Sequence, residues 1–282
     1  MTEPRVIGRT GSTNIVHCPG HCRICGYETN YSFTSVSLQK YKFDANNCDN
    51  CGFLQIKNPH WLNEAYEEAI AVYDTGLVER NISLAARLRT LLFYIFGNTG
   101  RFVDFSGGTG LFVRLMRDYG YDFYWRDPYC KNIHARGFEF ELGGKYNAIT
   151  LFETLEHIID PIFFMNSALE DTDADVIFFT TELFSDPPPK PGEWWYYAFD
   201  AGQHISFYQE KTLNIISNQL SMKYTSYGAI HVFCKDHVYT RLKQYQGSSM
   251  IRRFARYRSA RVLQSKTMSD HLFLLKQGRL PE

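Results

Sequence analysis

The first residues able to do chemistry in this sequence are two short cysteine pairs. Cys22-Arg-Ile-Cys25-Gly26 and Cys48-Asp-Asn-Cys51-Gly52 repeat one pattern. A CxxC turn sets two sulfurs on one side of the backbone, and the glycine after it lets the chain fold back without a Cβ clash. Together the turns offer four thiolates, Cys22, Cys25, Cys48 and Cys51, the ligand set of a closed tetrahedral zinc site. Such a set leaves no position open for substrate, so the expected role is structural. Five of the seven cysteines fall within the first 51 residues, a crowding that in a reducing compartment favours metal over disulfides. A redox dithiol is the competing reading. His17, Cys18 and His21 lie close enough to substitute as ligands and are read as bystanders.

A second constellation begins at Arg101. The apolar run RFVDF leads into Ser106-Gly107-Gly108-Thr109-Gly110 and then directly into a helical pattern. Glycines there let backbone approach a ligand, and free N–H groups at the helix start face it. A second strand, YDFYW, ends just before Asp127, where Rossmann-type folds hold ribose hydroxyls. A pyrophosphate-binding loop would want a third glycine where Val113 stands, so a dinucleotide is disfavoured, though NAD stays open as an alternative. S-adenosylmethionine carries no phosphate, and a looser turn preceded by Asp104 suits it better.

These groups need a scaffold. From residue 101 strands and helices alternate: Leu111–Tyr119 reads as a helix stopped by Gly120, FEFEL as a short strand, and NAITLF as another. A helix follows from Pro161, and then the strand DVIFFT. This order implies βαβ units around a parallel sheet, an α/β fold. Upstream, Trp61, Leu62, Ala65, Tyr66, Ala69 and Ile70 recur at helical spacing, and a second helix is expected over Ile82–Phe96. After a proline-rich loop at 185–192, the spacing predicts a helix near Thr212–Leu220 and strands at KYTSYG and AIHVFCK. The expected organisation is a zinc-binding module over 1–55, a helical linker or cap over 56–98, a Rossmann-like catalytic domain over 99–240 and a basic helical tail over 241–282. Residues 1–17 read as polar.

VDFSGGTG, then Asp127 in WRDPY, then YNAITLFETLEHIIDP resemble the motif series of class I S-adenosylmethionine-dependent methyltransferases. Ser106 stands where that family places its first glycine, and Asn147 where an aspartate is frequent. The N-terminal knuckles, with Tyr73-Asp74-Thr75-Gly76 and Arg80-Asn81, narrow the similarity to zinc-binding methyltransferases of sugar and polysaccharide pathways, over residues 20–235. The long C-terminal domain of the sugar C-methyltransferases is absent. The resemblance implies a Rossmann-like sheet with a small zinc-ribbon-like N-terminal module. It implies that Asp104, Gly108 and Gly110 line the cofactor's methionine end, that Asp127 holds the ribose, that Phe152 (or else simply core) and Glu153 lie near the sulfonium, and that Ser106, Gly107 and Arg80 also bind the cofactor. Glu156 and His157 are read as a helix-start carboxylate and a satisfied surface histidine, with a catalytic role as the alternative.

Methyl transfer is an in-line displacement that needs an aligned nucleophile and, for a hydroxyl or carbon acid, a base. The resemblance makes His204, in Gln203-His204-Ile205-Ser206-Phe207-Tyr208, the candidate base, although a histidine there could only brace the loop. Tyr196, within Trp194-Trp195-Tyr196-Tyr197, and Glu153 are candidate catalytic partners, and the aromatics suit a sugar ring. His231 is read as structural. The expected reaction is O- or C-methylation of a sugar, nucleotide-sugar or glycan.

Lys+Arg and Asp+Glu balance at 30 each, so no global field attracts nucleic acid. An RNA methyltransferase gripping through the zinc module, or a non-catalytic scaffold that holds zinc and cofactor, are the competing functions. The tail carries Arg252, Arg253, Arg256, Arg258, Arg261 and Lys266, a solvated face by default, or a groove for nucleotide-sugar phosphates, an anionic glycan or RNA. No apolar window is long enough to span a bilayer, and the N-terminus lacks a signal-peptide core, so the expected location is cytoplasmic.

Overall fold

The computed structural model describes residues 20–67, 70 and 74–278. The polar segment 1–17, with His17, and also Cys18, Ala69 and Tyr73, lie outside these.

The chain begins with β1 (Asn30–Ser37), β2 (Tyr41–Asn47) and β3 (Leu54–Ile56), an antiparallel meander. A single helical turn, α1 (Leu62–Ala65), precedes the long α2 (Leu77–Phe96). Then come β4 (Arg101–Asp104), α3 (Leu111–Asp118), β5 (Asp122–Trp125), β6 (Ala148–Leu151), α4 (Pro161–Thr172) and β7 (Val176–Phe179). The two-residue β8 (Ser206–Phe207) leads into α5 (Glu210–Gln219), β9 (Lys223–Tyr227) and β10 (Ile230–Cys234). Three helices close the described chain: α6 (Asp236–Gly247), α7 (Ser249–Val262) and α8 (Thr267–Lys276).

The central sheet runs β5-β4-β6-β7-β10-β9, with the first four strands parallel and β10 antiparallel to both neighbours. β6 and β7 are buried at every position, as strands covered on both faces must be. Alternate residues face opposite layers. Phe102, Phe123 and Phe178 pack under α2, α3, α6 and α7, whereas Val103, Ile149 and Ile177 pack under α4, α5 and the cysteine knuckles. α4 begins where the sequence dictates, with Pro161 in its first turn and the Asp160 carboxylate accepting from the Phe163 N–H at 3.0 Å.

Three expectations change. FEFEL forms only a single bridge, Glu139 to Trp125, so the sheet gains no strand beyond β5. The helical pattern from Trp61 yields one turn, which ends at Tyr66 (φ −106°, ψ 11°); Trp61 stands at its N-cap, fully buried, with its Nε1–H donating to the Gly202 carbonyl at 2.8 Å. The N-terminal sheet also takes a fourth strand from far along the chain: Leu54 pairs with Phe207 and Gln55 with Ser206. A core of Phe43, Leu54, Trp61, Phe184, Tyr197 and Phe207 welds this cap to the segment after β7. Among the described residues, no helix is long and apolar enough to cross a membrane.

Candidate active site and cysteine cluster

The turn after β4 is built by close approach. Gly107 lies so near the Trp125 indole that a Cβ would overlap Cδ1, and the indole Nε1–H donates to the Gly108 carbonyl at 2.8 Å. Gly110 caps α3 in the left-handed region (φ 86°), and a Cβ there would stand 2.7 Å from Asn132 Oδ1. Gly108 (φ 51°) faces open space. The Asp127 carboxylate locks the turn to the second strand: one oxygen accepts the Gly108 N–H at 2.9 Å, the other the N–H groups of Tyr129 (2.7 Å) and Cys130 (2.8 Å). Ser106, half-buried, contributes its backbone N–H to Asp104. Asp104 ends β4 fully buried and accepts from the Thr150 hydroxyl at 2.8 Å; burial pushes its pKa up to about 7, against that hydrogen bond.

Phe152 ends the β6 segment edge-to-face on Phe112 at 5.0 Å and is part of the core. Glu153 turns out with φ 49°, a conformation that costs roughly 1–3 kcal/mol for a non-glycine residue. Thr180, just past β7, holds it there: its hydroxyl accepts the Glu153 N–H and donates to Oε1, both at 2.8 Å. Arg80, in the first turns of α2, makes a bidentate pair with Asp74 (2.8 and 2.7 Å) and sets its Nε 3.6 Å from Glu153. Asp104, Asp127, Glu153 and Glu156 thus gather at the carboxyl ends of β4, β5 and β6, with Arg80 beside Glu153. Burial favours the neutral form of Asp104 and Glu156, so the negative charge at this edge rests with Asp127 and the Arg80-paired Glu153, a setting that does not favour a pyrophosphate.

His204 is pinned through its neighbours. Gly202 is held by Trp61, Gln203 donates to the Ala65 carbonyl at 2.8 Å, and Ile205 pairs with the Ile56 N–H (3.0 Å) and the Glu156 carbonyl (2.8 Å). The imidazole Nδ1 lies 2.7 Å from the Tyr196 carbonyl. A carbonyl only accepts, so Nδ1 carries the proton and Nε2 keeps its lone pair. Burial pushes the His204 pKa down to about 4, so the ring is neutral near pH 7. Tyr196 is buried, its ring 4.8 Å from His204 and its hydroxyl 3.3 Å from Thr181 Oγ1.

Glu156 and His157 are not the surface pair expected from sequence. They sit in a 3-10 turn (Leu155–His157) covered by residues 196–205. Glu156 is 0% exposed and both its carboxylate oxygens lack a hydrogen-bond partner. Burial, with Glu153 adding to it, pushes its pKa up to about 8. His157 stands edge-to-face against His204 at 4.8 Å, and burial holds it well below the usual imidazole range. Tyr66, also missed, stacks on Tyr129 at 5.0 Å beside Asp127. Nothing local in the sequence signals these pairings. His231 lies in β10, between the Tyr224 hydroxyl and the Thr181 carbonyl.

The four cysteines converge, their sulfurs all within 4.8 Å of one another. Cys22 and Cys51 stand 3.4 Å apart, Cys25 and Cys48 3.5 Å. Four ligands at the zinc–sulfur distance of about 2.3 Å would be separated by roughly 3.8 Å, so the set fits a tetrahedral ion after a slight expansion. The two knuckles match: Gly26 donates to the Cys22 carbonyl (2.9 Å) and Gly52 to the Cys48 carbonyl (2.7 Å), both glycines at positive φ. His21, whose backbone bridges to Glu28, is not in the cluster. The knuckles are tied to α5: Thr212 donates to the Cys51 carbonyl at 2.7 Å and Gln219 to the Ile24 carbonyl at 2.9 Å.

Residues 77–219, just over half of the chain, match the family described as methyltransferase domain. Among solved structures, the chain is similar to magnesium protoporphyrin IX methyltransferase from Synechocystis PCC 6803 with bound SAH. The identity is 11%, the match covers 62% of this chain and 93% of that one, and the TM-score is 0.41. It is also similar to 1,6-didemethyltoxoflavin-N1-methyltransferase from Burkholderia thailandensis, at 12% identity over 68% of this chain and 95% of that one, with a TM-score of 0.47. No curated protein matches the chain. The family match takes in the glycine turn, Asp127, Glu153 and His204, and leaves out the four clustered cysteines. The chain therefore belongs to the methyltransferase domain family and is a class I, S-adenosylmethionine-dependent methyltransferase.

Proposed function

We propose that this enzyme methylates an oxygen or carbon of a sugar, nucleotide-sugar or glycan, with His204 as the base. The observation that carries this reading is the His204 tautomer: with Nδ1–H spent on the Tyr196 carbonyl, a neutral imidazole presents Nε2 as a proton acceptor. When bound, S-adenosylmethionine supplies an electrophilic methyl group on a cationic sulfur. Asp127 would take the ribose hydroxyls, Asp104 and the turn at 106–110 the methionine end, and Phe152, Glu153 and Arg80 the sulfonium side. His204 removes the acceptor's proton, Tyr196 braces the imidazole, and Glu153 offsets positive charge. Trp195, 76% exposed and edge-on to Tyr196 at 5.4 Å, is suited to cover a sugar face.

The same reading gives Cys22, Cys25, Cys48 and Cys51 a structural zinc ion. Its contribution is to hold α5, and through β3 and β8 the His204 strand, in register. The acceptor class is tested by offering nucleotide-sugars, free glycans and RNA to the zinc-loaded protein and measuring S-adenosylhomocysteine formed. Turnover with a sugar, lost in His204→Ala while S-adenosylhomocysteine affinity is kept, is the expected result. Turnover with RNA alone, or near-normal rates in His204→Ala, would overturn it.

A further inference from the structure

Residues 241–278 hold nine Lys and Arg against a single acid, Asp270, in a chain whose whole complement is 30 of each sign. That acid is not available to neutralise the surface. It is buried and paired with Arg117 at 2.7 and 2.8 Å, and with Arg114 at 2.9 Å, which fastens α8 to α3.

The helix faces are resolved by their burial. On α7 only Ala255 and Ser259 are buried, with Ile251 and Val262 beside them, which marks one narrow inward stripe. At about 100° per residue, Met250 and Tyr257 fall on the opposite side and Phe254 on the adjoining flank. They are 78%, 64% and 52% exposed. Arg253 and Arg256 flank this apolar stripe on one side and Arg258 on the other, while Arg261 continues the stripe's line one turn on, its guanidinium 4.3 Å over the Tyr257 ring; all four are exposed. The α8 helix repeats the pattern: Asp270 points inward, while Met268, Leu272 and Leu275 lie opposite it and are exposed.

We propose that α7 and α8 form a docking surface for an anionic lipid bilayer, on which the enzyme lies without crossing it. A helix with large apolar side chains on one stripe and arginines along both borders is the form that sinks its stripe into the headgroup region while its cations meet lipid phosphates. Two other occupants fit less well. In a two-fold pairing of α7 with a second copy, arginine rows that contain no acid would face each other. An RNA surface would have no use for the aliphatic Met250, Met268, Leu272 and Leu275, since single-strand recognition relies on aromatic stacking and polar contacts.

The test is co-sedimentation of the zinc-loaded full chain with vesicles of phosphatidylglycerol and phosphatidylcholine, against vesicles of phosphatidylcholine alone. Binding to the mixed vesicles that weakens with salt is expected. At about 1 kcal/mol per arginine near such a surface, Arg253→Glu with Arg258→Glu should weaken it by more than about tenfold. Phe254→Ser should weaken it as well, and both variants should bind S-adenosylhomocysteine as the parent does, which shows that they are folded. Equal binding to both vesicles, or none, overturns the proposal. So does a dimer in light scattering that Phe254→Ser dissolves, or an affinity for RNA above that for the mixed vesicles.

Discussion

Replacing Gly107 with alanine tests how the cofactor turn is made. Gly107 lies outside the positive-φ region, so the substitution brings no backbone strain. What the new methyl meets is the Trp125 indole, at Cδ1 and Nε1. The ring must swing away, giving up the Nε1–H bond to the Gly108 carbonyl, worth about 1 kcal/mol, and leaving its rotamer at about 0.5–1.5 kcal/mol. Loss of chain entropy in the unfolded state returns about 0.4–1 kcal/mol, which leaves a net destabilisation of about 0.5–2 kcal/mol. Urea unfolding followed by circular dichroism measures it, and the decisive comparison is the same substitution made in a Trp125→Ala background. There the methyl enters vacated space, and the cost should fall to within about 0.5 kcal/mol of zero. Gly108→Ala, which meets no atoms but sits at φ 51°, should instead cost about 1–2 kcal/mol in both backgrounds. If Gly107→Ala is equally costly with and without the indole, close approach to Trp125 is not the reason for a glycine there.

Three further outcomes follow from the site. His204→Ala should lower turnover by about 10²–10⁴-fold, as expected for loss of a general base, with S-adenosylhomocysteine affinity by calorimetry kept within about threefold. Glu156 is held protonated up to about pH 8 in the fold but ionises near 4.5 when unfolded, so the folded state keeps a proton that the unfolded state releases. Stability should therefore fall as pH rises from about 4.5 to about 8, with Asp104 adding to the fall between 3.8 and about 7, and Glu156→Gln should flatten the slope in urea titrations at pH 5 and pH 8.5. Chelation of the zinc proposed for the four cysteines, or Cys51→Ser, should remove turnover by releasing the β3–β8 pairing that carries His204, while the glycine turn keeps its affinity for S-adenosylhomocysteine. Loss of that affinity in the same step would show that the two regions are not separable.

The region from Arg101 to Asp127 was legible in the sequence because its chemistry is local: a buried strand, a glycine turn, an amphipathic helix and a second strand follow one another without interruption. The doubled CxxCG pattern was legible for the same reason, and the structure brings its four sulfurs together. What sequence spacing did not reveal was every contact made across the chain. The Glu156-His157 pair looks like an ordinary polar helix start, and only the return of residues 196–205 over it turns it into a buried cluster beside His204. β8 is two residues long, too short for any periodic signal, and its partner β3 lies about 150 residues earlier. Trp61 has the spacing of a helix face, but the helix it caps closes at Ala65, and its indole N–H goes instead to Gly202, far along the chain. FEFEL has strand composition and yet keeps one bridge, since Trp125 already ends β5 at that point.

Cofactor binding rests above all on the turn at 106–110 and Asp127 acting as one adenosyl-binding unit. Isothermal titration of the zinc-loaded protein with S-adenosylhomocysteine, beside Asp127→Ala, addresses that directly. The prediction is one site per chain in the parent and an affinity at least about tenfold weaker in the variant, which loses the ribose acceptor and the Gly108 link together. A parent protein that takes up no S-adenosylhomocysteine, or a variant that binds it as tightly, would contradict the central claim.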